Sequence, residues 1–121
     1  MSEKVILIVE DEIITQNMLK AALAKAGYAP IIAASGAEAI QLADERAPSL
    51  IILDIMLPDI DGGEVASLLK KNPKTKAIPI IFLSALISEA EEKKAAKNDV
   101  VSFLSKPFNR EKLLNEIKKY L

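Results

Sequence analysis

Five short apolar runs punctuate this chain, each separated from the next by enough residues for one helix, and that alternation limits the possible folds more than any other feature. The runs are Val5–Val9, Ala29–Ala33, Leu50–Leu53, Ile78–Leu83 and Val100–Leu104. Stretches such as Ile51-Ile52-Leu53 and Ile78-Pro79-Ile80-Ile81-Phe82-Leu83 carry almost no polar interruption, as expected of strands covered on both faces in a parallel sheet. Between and after them apolar residues recur at helical spacing: Ile14, Met18, Ala22 and Ala26 four apart, then Leu113, Leu114, Ile117, Tyr120 and Leu121 near the C-terminus. Five βα units follow, and the fold class is α/β. Gly27 is placed to end the first helix, Ser35-Gly36 to open the second, and Asn72-Pro73 to follow the third. Pro79 loses one ladder hydrogen bond in any strand, so it belongs at the start of its run or with its nitrogen turned away from a neighbour.

The rest of the chain narrows the function. Its 121 residues, half of them hydrophobic, suffice for one compact domain over 1–121 with a core of its own. No repeat, linker or low-complexity segment divides it, and nothing visible in these residues is expected to carry an effector. A charged fraction of 27% and a net charge of -1 offer no basic field for nucleic acid or an anionic membrane. There is no apolar run of membrane-spanning length, and Met1-Ser2-Glu3-Lys4 leads into a strand without a signal-peptide pattern. The expected location is cytoplasmic. Cysteine and histidine are both absent, which excludes disulfides, thiol nucleophiles, imidazole bases and the common zinc sites.

Chemistry must then rest on carboxylates, hydroxyls and lysines, and these stand where the strands end. Glu10-Asp11 follow Val9, Asp54 follows Leu53, Ser84 follows Leu83, and Ser105-Lys106 follow Phe103-Leu104. The polar turn before Ser35 is a weaker fifth case. In an open parallel sheet these ends share one edge, the edge at which such folds bind ligands. Three carboxylates brought together there raise one another's pKa and attract a cation. Oxygen ligands with room left for water and phosphate suit magnesium better than calcium. Lys106 supplies a compact positive charge and Ser84 a hydroxyl donor, which together are parts for phosphoryl transfer to a carboxylate.

Each residue also has a plain reading. Glu10-Asp11 fit an N-cap and first helical turn, Asp54 and Asp61-Gly62 a turn around Pro58, Ser84 a cap, Lys106 a solvated charge, Phe103 core. The Lys/Glu run Glu89–Lys97 reads as an exposed helix face laced with i,i+4 pairs. What the separate readings leave unexplained is four polar groups at one sheet edge.

Four segments carry a resemblance that covers essentially the whole chain: Ile6-Leu7-Ile8-Val9-Glu10-Asp11-Glu12, Leu53-Asp54-Ile55-Met56-Leu57-Pro58-Asp59-Ile60-Asp61-Gly62, Phe82-Leu83-Ser84-Ala85, and Phe103-Leu104-Ser105-Lys106-Pro107-Phe108. In this order the chain resembles the receiver domains of two-component response regulators, of the chemotaxis-regulator type. The resemblance implies a doubly wound, flavodoxin-like sheet of five parallel strands in the order 2-1-3-4-5 with five flanking helices, and a cis bond between Lys106 and Pro107. It implies that Asp54 is the phosphoacceptor. It further implies that Mg2+ is held by Glu10, Asp11, Asp54 and the backbone carbonyl of Met56, and that Ser84, the Ala85 backbone and Lys106 hold the phosphoryl oxygens.

The same resemblance implies a signalling switch rather than an enzyme, with slow autodephosphorylation only. Ser84 moves toward the new phosphoryl oxygen, Phe103 turns inward, and the surface of the fourth helix, fifth strand and fifth helix changes with a coupling of about 1–3 kcal/mol. The implied partners are a histidine kinase or histidine phosphotransfer protein as donor and a protein effector or fused output domain downstream. Neither nucleic acid nor membrane is contacted directly, and the chain is expected as a monomer or weak dimer. Four departures stand out: Glu10 where aspartate is usual, Phe103 where tyrosine is commoner, Asn98-Asp99 where glycine is frequent, and apolar Leu86 two residues past Ser84, expected to slow the access of hydrolytic water.

Overall fold

The computed structural model describes residues 4–84 and 102–121. Nine elements follow one another in these segments: β1 (Val5–Val9), α1 (Ile13–Lys25), β2 (Ala29–Ala33), α2 (Gly36–Arg46), β3 (Leu50–Asp54), α3 (Gly62–Lys71), β4 (Ile80–Ser84), β5 (Ser102–Ser105) and a C-terminal helix (Arg110–Lys118). All five strands are parallel and lie in the order β2-β1-β3-β4-β5. The sheet and its order are those expected. Four flanking helices are present among the described residues. The expected fifth, with the Glu89–Lys97 run, Asn98-Asp99 and Leu86, lies outside them.

Alternation along the strands divides the core in two. Leu7, Val9, Ile51, Leu53, Ile80 and Phe82 face one side and pack on Ala39 and Ala43 of α2 and on Val65, Ala66 and Leu69 of α3. Ile6, Ile8, Leu50, Ile52, Ile81, Leu83 and Leu104 face the other and pack on Leu19 and Leu23 of α1 and on Leu113 and Ile117 of the C-terminal helix. Because both faces are covered, β3 is buried along its whole length, which is why its sequence shows no polar alternation.

Local chemistry sets the boundaries. Gly27, at φ 94°, takes the left-handed position after α1. Ser35 caps α2 through its hydroxyl, which accepts from the Glu38 N–H at 3.2 Å. Pro79 sits just before β4 rather than inside it, and its carbonyl accepts from the Ile51 N–H. That strand starts two residues later and ends one residue later than the sequence run Ile78–Leu83. In β5 likewise the described strand begins at Ser102; Val100 and Val101 lie outside the described residues.

One helical stripe needs correction. The spacing Ile14, Met18, Ala22, Ala26 does lie along α1 and its cap, but the residues buried on that helix are Thr15, Leu19 and Leu23. Ile14 is 71% and Met18 52% exposed. Four-residue spacing drifts around a helix of 3.6 residues per turn, so the adjacent 15, 19, 23 row, equally regular, is the one that meets the sheet.

Candidate phosphoacceptor site

The parallel register carries the ends of β1, β3 and β5 to one edge. Val9 pairs with Leu53, Asp54 with Leu83, and Ser84 with Ser105, so the residues that follow emerge side by side. Lys106 bridges the first two loops. Its Nζ donates to Glu10 Oε1 at 2.7 Å and to Asp54 Oδ2 at 3.1 Å, contacts that join residues 96 and 52 positions apart. Glu10 is 1% exposed and Asp54 4%, while Asp11 is exposed at the rim. Carboxylate oxygens of Glu10, Asp11 and Asp54 all lie within 4.8 Å of one another.

Backbone donors orient both buried carboxylates. Asp54 Oδ1 accepts from the Met56 N–H at 3.0 Å, leaving Oδ2 to Lys106. Glu10 Oε2 accepts from the Glu12 N–H at 3.2 Å, and the Glu10 carbonyl accepts from the Gln16 amide at 2.6 Å. Burial pushes the Glu10 carboxyl up to about 7, a rise that Asp54 reinforces and that the nearby Lys106 only partly offsets. Burial works against the Lys106 charge too, but its hydrogen bonds to Glu10 and Asp54 outweigh it and hold the ammonium above the usual lysine range. With all three ionised, three carboxylates against one ammonium leave an excess of two negative charges, which matches one divalent cation. An all-oxygen donor set at such separations suits a hard ion such as Mg2+.

Met56 and Pro58 line the same cleft as Glu10, Asp11, Asp54 and Lys106. The Lys106–Pro107 peptide is cis. Phe103 is half-buried against the α2/α3 side of the core, its ring 5.7 Å from that of Phe82. The Ser84 backbone ends β4 beside Ser105; the Ser84 side chain and Ala85 lie outside what is described.

Reading residues by type passed over several that hold the site together. Asp59 Oδ1 and Oδ2 accept from the Gly36 and Ala37 N–H groups at 2.8 and 3.0 Å, and these bonds hold its carboxyl below the usual range. Gly62 lies so close to the end of β3 that a Cβ there would stand 2.5 Å from the Asp54 carbonyl oxygen. Its glycine serves close approach, not the turn that Asp61-Gly62 suggested. Asp61 instead caps α3, accepting from the Glu64 N–H at 2.9 Å.

Known proteins show the same arrangement of sequence and fold. The chain is 33% identical over 118 residues to the polar-differentiation response regulator DivK of Brucella ovis, an alignment covering 98% of this chain and 96% of that one. Its fold matches the chemotaxis protein CheY4 of Vibrio cholerae with a TM-score of 0.95 at 29% identity, over 99% of this chain and 100% of the other. It also matches, with a TM-score of 0.90 at 26% identity over 98% of both chains, the receiver domain of a sensor histidine kinase from Pseudomonas aeruginosa, solved with a magnesium ion coordinated in its active-site cleft. Residues 6–118 match the response regulator receiver domain family, and the chain belongs to it.

Proposed function

We propose that this receiver domain is a phosphorylation-dependent switch in which Asp54 accepts a phosphoryl group from a phosphohistidine of a kinase or phosphotransfer protein. The observation that carries the reading is the Lys106 ammonium bridging Glu10 and Asp54. It gathers the ends of three strands into one pocket. Glu10, Asp11, Asp54 and the Met56 carbonyl are assigned to Mg2+, which when bound neutralises negative charge on the transferring phosphoryl oxygens.

One oxygen of the Asp54 carboxylate attacks phosphorus. The new P–O bond forms as the P–N bond to the donor imidazole breaks, and the imidazole nitrogen leaves with the electron pair. The donor ring, protonated at its other nitrogen, leaves as neutral imidazole, so the step needs no histidine or cysteine acid in the pocket. Met56 N–H orients the acceptor, Lys106 meets a transferred oxygen, and the pattern after β4 assigns the remaining oxygens to Ser84 and the Ala85 backbone. Ser84 and Phe103 are then the residues through which the modified state reaches a protein effector or output domain, and the release of phosphate is slow.

Acetyl phosphate with MgCl2 should add the mass of one phosphate to the intact protein. Asp54→Asn should not gain it, nor should wild type in excess chelator. Wild type that stays unmodified, or Asp54→Asn that is modified equally, defeats the reading.

A further inference from the structure

The loop at residues 55–61 joins the acceptor to α3 and carries Met56, yet Met56 is 76% exposed. Its Met56 N–H is tied to Asp54 and its Ile55, Leu57 and Ile60 pack on the core, and a further tie comes from α2. Asp59 takes the Gly36 and Ala37 N–H groups of α2 on its two carboxylate oxygens, while Ser35 takes the next one, from Glu38. The first turn of α2 is therefore completed by a side chain 23 residues away. Beside this contact Ile60 lies directly over Gly36, where a Cβ would collide with it. The Gly62 N–H then closes the loop onto the Ile55 carbonyl at 2.8 Å.

We propose that Asp59 is a positioning residue for the metal-binding edge, tying the loop that presents the Met56 carbonyl and N–H to the fixed start of α2. The inference rests on the phosphoacceptor reading and extends it to a residue that touches neither metal nor phosphoryl group. Two hydrogen bonds to a rigid helix end hold a loop to one position, and groups that orient ligands in this way commonly affect metal affinity as much as weak ligands do. The alternative is that Asp59 merely stabilises α2 as a remote cap. Ser35 separates the two, because its hydroxyl caps the same turn through the Glu38 N–H and forms no part of the Asp59 tie.

Magnesium chloride titrated calorimetrically into the full chain tests this. Asp59→Ala should weaken magnesium binding about tenfold. Asp59→Asn, which keeps one acceptor oxygen, should stay within about threefold of wild type. Ser35→Ala should lower the melting temperature and leave magnesium affinity within about twofold of wild type. In phosphorylation by acetyl phosphate, Asp59→Ala should need more magnesium for half-maximal rate yet reach a near wild-type plateau.

Asp59→Ala with wild-type affinity overturns the inference. So does equal loss in Ser35→Ala, which would mark a helix effect, or equal loss in Asp59→Asn, which would mark the charge alone. If Asp59→Ala does not fold, the comparison of Asp59→Asn and Asp59→Ser with Ser35→Ala decides it, the serine variant being required to bind more weakly than the asparagine. Wild type that binds no magnesium and gains no phosphate would fail the phosphoacceptor reading itself. Wild type that does both, beside an indifferent Asp59→Ala, fails only this inference.

Discussion

At the level of single residues, the charge balance of the pocket turns on Lys106. Its Nζ is the cation that meets both buried carboxylates, and its side chain is 23% exposed. Breaking a buried ion pair by removing one partner commonly costs about 3–5 kcal/mol. Here partial exposure and proton uptake by Glu10 reduce that figure. We expect Lys106→Met to lose about 1–2 kcal/mol in urea denaturation at neutral pH, and magnesium to restore more stability to the variant than to wild type. An unchanged midpoint without metal would mean that the bridge contributes nothing to the fold. Glu10, Asp11, Asp54 and Lys106 were legible in the sequence because each follows an apolar run, and a parallel sheet sends the ends of its strands to one edge. Asp59 and Gln16 were not, because their partners are backbone groups, two on α2 and one at Glu10. A main-chain amide has no signature in the sequence.

Among elements, two glycines at helix starts look alike in sequence and differ in what surrounds them. A methyl group on Gly62 would press on the Asp54 carbonyl oxygen and the Ile55 Cα, which are backbone atoms at the end of a buried strand. On Gly36 it would meet side-chain atoms of Ile60 and Val65, which can shift further than the backbone of a buried strand. Gly62→Ala should therefore cost about 2–3 kcal/mol and slow acceptance of phosphate at Asp54, whereas Gly36→Ala should cost less than half as much. Equal costs, read from denaturant midpoints, would show that helix propensity and not crowding decides. Strand positions were readable to within two residues, since covered parallel strands are apolar throughout. The buried row of α1 was less readable, because its exposed face carries Ile13, Ile14 and Met18, as apolar as the residues it buries. Composition alone could not choose between rows.

Over the whole molecule, two clusters on opposite faces of one sheet form the core, and both share the same strands. Neither can melt and leave the other intact, so unfolding should be a single cooperative transition. The pocket spans that same sheet. We expect the capacity to take up phosphate from acetyl phosphate, measured across a urea series with magnesium held constant, to vanish at the midpoint seen by circular dichroism. Loss of uptake well before that midpoint would reveal a site that opens on its own. Strand order was available from the resemblance of the motifs rather than from periodicity, which says that strands exist but not which are neighbours.

The bridge from Lys106 to Glu10 joins positions 96 residues apart, and this has a bearing on synthesis. In synthesis Asp54 is joined to the chain 52 residues before its lysine counterpart. During that interval the aspartate lacks its counter-charge, and a donor encountering the unfinished chain finds no competent acceptor. On the reading proposed above, the acceptor becomes competent only once synthesis has passed Lys106.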